Sequence, residues 1–130
     1  MPAYNTISPP YAIWPGDSQT VWSAESPAAG TASQQVALGE RDSRGGSPFS
    51  TDIQFGGNPG TFEVDVQVAN VDQDSAYYTL DQGTTNDGAI VQVNAGFSAH
   101  VDAPFVTAKF VRLKLVSLQN AVTITGSFSR

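Results

Sequence analysis

The stretch "TFEVDVQVANVDQDSAYYTL", Thr61 to Leu80, decides the fold class. Phe62, Val64, Val66 and Val68 alternate with Glu63, Asp65 and Gln67. A period of two is the mark of a strand with one dry and one wet face. The pattern stops at Asn70-Val-Asp-Gln-Asp-Ser and restarts at Ala76-Tyr-Tyr-Thr-Leu. The interruption is acidic. It is either a site for chemistry or the turn that returns a strand.

Asn70, Asp72 and Asp74 stand at the first, third and fifth positions of a calcium-loop spacing. The sixth position is Ser75 where that loop needs Gly, and the twelfth is Asp81 where it needs Glu. Strands rather than helices flank it. The segment therefore reads as an Asx-type turn with solvated acids at its tip. Glu63 and Asp65 share one strand face, about 7 Å apart by the strand rise. A carboxylate pair of that kind can serve a glycosidase. Here it reads as the wet face of a sheet.

Working outward, residues 49–130 read as strands throughout. Phe49–Phe55 ("FSTDIQF") precedes the turn Gly56-Gly-Asn-Pro-Gly. Thr61–Asn70 and Ala76–Leu80 follow, then the turn signal Asn86-Asp-Gly. Ala89–Asn94, Gly96–Val101, Phe105–Ser117 and Ala121–Ser129 complete the series. Short alternating strands with turns at regular spacing predict an antiparallel sandwich, jelly roll or barrel. Residues 1–48 differ. They hold Pro2, Pro9, Pro10, Pro15, Pro27 and Pro48 and show little apolar period. Each proline removes a donor and keeps its predecessor extended. This part reads as an extended arm with short strands at Gln19–Ser23 and Gln35–Leu38 and a loop at Arg41–Pro48. The expected architecture is an all-β, jelly-roll-like antiparallel β-sandwich over 49–130, preceded by a Pro/Gly-rich arm over 1–48.

The chain has 130 residues, enough for one domain with a real core. It has no cysteine, which excludes disulfides, thiolate metal sites and cysteine nucleophiles. The net charge is −6, and no Lys or Arg occurs between Gly45 and Ala108. That argues against nucleic acid as a partner. No basic and apolar leader opens the chain, and no apolar run is long enough to span a bilayer, so a soluble protein without membrane contact is expected. His100 is the only histidine and reads as a surface or interface residue. There is no G-x-S-x-G elbow and no phosphate-cradling loop before a helix. These observations assign no catalytic residue, no cofactor and no metal ligand.

The remaining signals concern surfaces. Tyr4, Tyr11, Trp14 and Trp22 crowd the irregular first third. Such aromatics fill the chain's own core, anchor a neighbouring subunit, or stack on sugars. In "KFVRLKLVSL" the bases Arg112 and Lys114 point away from Val111, Leu113 and Leu115. They either meet an acidic patch on a partner or solvate an edge strand that they protect from aggregation. With Arg41 and Arg44 of the loop, these residues form the candidate partner interface.

The elements "FEVDVQVAN", "DSAYYTL" and "KFVRLKLVSLQNAVTITGSF" resemble a recurring pattern in the small β-sandwiches of tailed-phage virions. The last resembles their closing hairpin, an aromatic-Val-Arg-Leu strand followed by a Val-Thr-Ile strand. The resemblance covers about half the chain, Thr61 to Arg130. It implies a non-enzymatic cement or decoration protein on the outer capsid surface, made in the host cytoplasm. Such a protein bridges subunits of the major capsid protein, as a dimer or trimer of its own chain, with an N-terminal arm threading along neighbours. Deleting residues 1–16 is then expected to leave a folded sandwich that no longer stabilises the shell. The same closing segment resembles the end of discoidin-like carbohydrate-binding sandwiches, although that family carries disulfides and a longer chain. A low-copy tail or neck component is the third expectation.

Overall fold

The computed structural model describes residues 12–39, 47–81, 88–104 and 106–130. In chain order the strands are β1 (Ala12–Ile13), β2 (Ser18–Glu25), β3 (Val36–Leu38), β4 (Phe49–Phe55) and β5 (Phe62–Ala69). Then come β6 (Tyr78–Thr79), β7 (Ala89–Ile90), β8 (Ser98–Ala103), β9 (Phe110–Leu118) and β10 (Ile124–Ser129). They form two sheets. One runs β2-β10-β4-β8. The other runs β1-β3-β9-β5, with β6 and β7 both pairing β5 at its far side.

After β1 the chain passes between the sheets at almost every connection, so that β2 lies beside β10, β3 beside β9, β4 beside β8 and β5 beside β6 and β7. This nested pairing is the jelly-roll arrangement of an all-β sandwich. The ladders are antiparallel except for the short parallel pair β1–β3.

The alternating pattern puts the apolar set inside. Phe49, Ile53 and Phe55 of β4 face Val64, Val66 and Val68 of β5 and Val111, Leu113 and Leu115 of β9 across a closed core. Phe55 meets Phe62 edge-on across the two sheets, with ring centroids 4.7 Å apart, and Phe49 meets Phe128 at 5.7 Å. Such aromatic pairs add about 1 kcal/mol each beyond burial. Gly126 of β10 lets the sheets approach: a Cβ there would lie 2.5 Å from Leu113 Cδ1. A bulge at Val116 shifts the β5–β9 register between Glu63 and Val64.

The expected boundary at residue 48 is not one in the fold. β2 is an eight-residue strand paired along β10, and β3 pairs β9. Ile13 is 1% exposed and Trp22 is 3% exposed. Over residues 12–39 the supposed arm is therefore part of the sandwich. The prolines there fall in the connections, at Pro15 and Pro27, where their missing donors cost no ladder bond. The connection after β1 is a turn: Asp17 N–H donates to Trp14 O at 2.8 Å, with Pro15 next and Gly16 at φ 97°. That is the geometry in which Pro and Gly are favoured.

Candidate functional site

The acidic interruption after β5 is a strap rather than a free tip. One turn of 3-10 helix, Asp74–Ala76, carries the chain back towards β6. Arg112, on the outward parity of β9, holds it down. Its Nη1 donates to Asp74 Oδ1 at 2.7 Å, and its Nε donates to Gln67 Oε1 at 2.8 Å. Its guanidinium carbon lies 4.0 Å from the centre of the Tyr77 ring. Tyr77 O–H donates to Asp72 Oδ1, and Gln35 Nε2 donates to both Asp72 oxygens. The Arg112 guanidinium lowers the Asp74 carboxyl below the usual range, while burial raises that of Asp72. The carboxylates that resemble a calcium loop in sequence thus accept from Gln35, Tyr77 and Arg112.

This places two of the candidate interface bases. Arg112 is 8% exposed, because the strap covers it. It cannot meet a partner's acidic patch, and β9 is a central strand, not an edge. Lys114 is half-buried opposite Asp65 on β5 and bridges Ala32 on the other side. Asp65 accepts from Thr79 Oγ1 at 2.9 Å, and a hydrogen bond with Asp65 raises the Glu63 carboxyl.

The aromatics separate. Trp22 packs in the chain's own core and cannot plug into a neighbour. Trp14 is 45% exposed. Its backbone is nonetheless held: its N–H donates to Asp17 Oδ2 at 3.1 Å, and the turn that follows is tied to Arg130 by two backbone bonds. The indole lies against Gly39, where a Cβ would come within 2.8 Å of two ring carbons. Beside this turn, at the same end of the sandwich, Pro48, Phe49, Ala103, Pro104 and Arg130 line a largely apolar hollow of about 410 Å³. Arg130 joins the two features, donating to Ile13 O and Pro48 O. Tyr4, Tyr11, Arg41 and Arg44 lie outside the described residues.

One constellation had no signal in the sequence. The outer face of the sheet β2-β10-β4-β8 is polar, with Ser50, Asp52 and Gln54 of β4 opposite Asp102, His100 and Ser98 of β8. His100 Nδ1 is 2.6 Å from Asp52 Oδ1, and its Nε2 is 2.7 Å from Asp102 Oδ1. Ser50 Oγ donates to the same Asp102 oxygen at 2.8 Å. Hydrogen bonds from Asp52 and Asp102 raise the His100 pKa, and those from Ser50 and His100 lower that of Asp102. Beside it is a hollow of about 270 Å³, reaching Asn94, Thr125 and Ser127. The serine here serves the carboxylate rather than the imidazole, so the group is not arranged as a Ser–His–Asp nucleophile relay. Asp52 is 48 residues from His100 in sequence, and only the β4–β8 register brings it to the imidazole that Asp102 also reaches.

Comparison with family models, with curated proteins and with solved structures finds no match for this chain.

Proposed function

We propose that this chain is a structural, non-catalytic assembly protein, of the cement or decoration kind that bridges major capsid subunits on the outside of a tailed-phage head. The observation that carries the reading is the pre-set Trp14. An indole that is nearly half exposed, yet seated against Gly39 on a backbone that Asp17 holds, has less freedom to lose on docking. Rigid aromatics beside an apolar hollow are the usual anchors of protein interfaces. The hollow lined by Pro48, Phe49 and Pro104 continues that surface. The capsid itself enters through the resemblance of the Thr61–Arg130 strands to small virion sandwiches. A single anchor contributes on the order of 2 kcal/mol, and repetition over a symmetric shell multiplies the effect.

The first test is copy number. Quantitative mass spectrometry of purified particles from the source is expected to find this chain at a count close to that of the major shell subunit. A handful of copies moves it to the tail or neck, and absence from particles removes the reading. The second test is Trp14→Ala added back to shells that lack the protein. Binding is expected to fall about tenfold or more, with the variant still folded. Unchanged binding removes Trp14 as the anchor.

The exposed indole also supports a second reading, a carbohydrate-binding module in which Trp14 stacks on a sugar ring. Its emission separates the two, because Trp22 is buried and supplies a constant background. A saturable change in the exposed-indole emission with glycans, and none with shells, favours the sugar.

A further inference from the structure

Among the described residues, strand β8 is the edge of its sheet, with β4 as its one neighbour. Its inward side chains are small, Ala99, Val101 and Ala103, and two of the three are only half-buried. Across from them β4 buries Phe49, Ile53 and Phe55. Apolar burial therefore holds β8 less firmly than it holds β4. The outer face adds a second attachment. His100 stands directly opposite Asp52, and Asp102 directly opposite Ser50. The imidazole reaches across the ladder to one carboxylate and along its own strand to the other.

Carboxylates accept and do not donate when ionised. A neutral imidazole has one N–H and one bare nitrogen, so it can satisfy only one of two carboxylate oxygens. The other pair would be lone pair against lone pair at 2.6 or 2.7 Å. Both contacts are met together only when both ring nitrogens carry hydrogen. We propose that His100 is a proton-operated clasp: its doubly protonated ring pins the edge strand β8 to β4, and loss of one ring proton frees that edge. The surroundings favour this assignment. Among the described residues, the charged groups facing the ring are Asp52 from β4 and Asp102 from β8, both acidic. β10 offers Thr125 and Ser127 and the 94–98 turn offers Asn94, all uncharged. Arg130 lines the adjoining hollow with Asp102 and gives Nε and Nη1 to Pro48 O and Ile13 O.

The clasp has a stated direction. The folded-state pKa of His100 lies above the ordinary value of 6.5, so its contribution is complete below that pH and fades as pH rises through the folded value. Both carboxylates are more than half exposed, so solvent screens the pairs and the effect is local. It should loosen β8 without unfolding the sandwich. A free sheet edge is the place where another strand can add, so the clasp would make such pairing depend on pH.

The test is nuclear magnetic resonance on the full chain across pH 5 to pH 10. Long-range imidazole spectra should show both His100 nitrogens protonated at the acid end, with a titration midpoint above the ordinary 6.5. Amide exchange in β8, corrected for intrinsic rates and referred to β10, should rise about threefold through that titration, the size an exposed pair supports. Asp52→Asn should lower the titration midpoint, and His100→Gln should abolish the pH step in the exchange ratio. A His100 midpoint at or below 6.5 overturns the proposal. So does an exchange ratio that stays flat while His100 titrates, and this readout needs no variant.

Discussion

At the residue scale, the most consequential side chain is Arg112. It is buried under the strap, with Gln67, Asp74 and Tyr77 as its partners. Removing it leaves those groups without their donor and a void beneath the strap. Arg112→Ala is expected to cost about 2 kcal/mol in denaturant unfolding, chiefly from the buried bond to Gln67 and the lost packing, because the Asp74 carboxylate is solvent-exposed and its pair is screened. Arg112→Lys should recover little, because a single ammonium cannot reach Gln67 and Asp74 as a fork and stack on Tyr77 together. Full recovery by lysine would show that charge alone matters. Gly39 offers the opposite kind of test. Gly39→Ala should lift the indole of Trp14 from its seat, since the new Cβ would collide with the ring. The expected result is a shift in the exposed-tryptophan emission with little change in stability. An unchanged spectrum would mean that the ring does not rest there in solution.

At the element scale, the strap and the edge strand respond to pH in opposite directions. The Arg112 guanidinium holds Asp74 below its ordinary value near 3.8. The contribution of that pair is present above 3.8 and is lost as pH falls through the lowered folded value. Protease cleavage within 70–77 should therefore accelerate in acid before the sandwich unfolds, and Asp74→Asn should cleave faster at neutral pH. Equal cleavage of the two proteins at pH 7 would deny the ion pair a role in holding the strap. For β8 the sign is reversed, since the histidine clasp is strongest in mild acid and fades as pH rises. One sandwich thus carries two surface attachments that are lost at opposite ends of the pH scale.

At the scale of the whole molecule, both termini of the described chain are structural. Residues 12–25 supply β1 and β2, and β10 binds β2 on one side and β4 on the other. Deleting residues 1–16 removes buried Ile13 and the Gly16 bond to Arg130 O. In contrast to the expectation from sequence, the truncation should destabilise the sandwich, by about 3 kcal/mol, or roughly 10 °C in Tm for a domain of this size. A truncated chain that melts at the same temperature would restore the arm. Phe128→Ala, at the centre of the same seam, should cost about 3–5 kcal/mol with a single cooperative transition.

Much of this fold could be read in advance. The alternation in "FEVDVQVA", "FSTDIQF" and "FVRLKL" placed β5, β4 and β9 and marked the core face, because the period of two is a property of the strand itself, but the face of β5 expected to be wet is covered at Asp65 and Gln67. The glycine and proline signals marked the connections for the same local reason. The strands of the first third were visible as "QTVWS" and "QVAL", but their membership of both sheets was not, because pairing joins residues about 100 apart for β2 with β10 and about 75 apart for β3 with β9, which no local pattern marks. The same limit hid the burial of Arg112, which depends on a strap folding back over its face. It also hid the meeting of His100 with Asp52 and Asp102. Local chemistry determined which residues form strands and which face is apolar. Only the tertiary register decided which strands are edges, which charges are covered, and which two carboxylates share one imidazole.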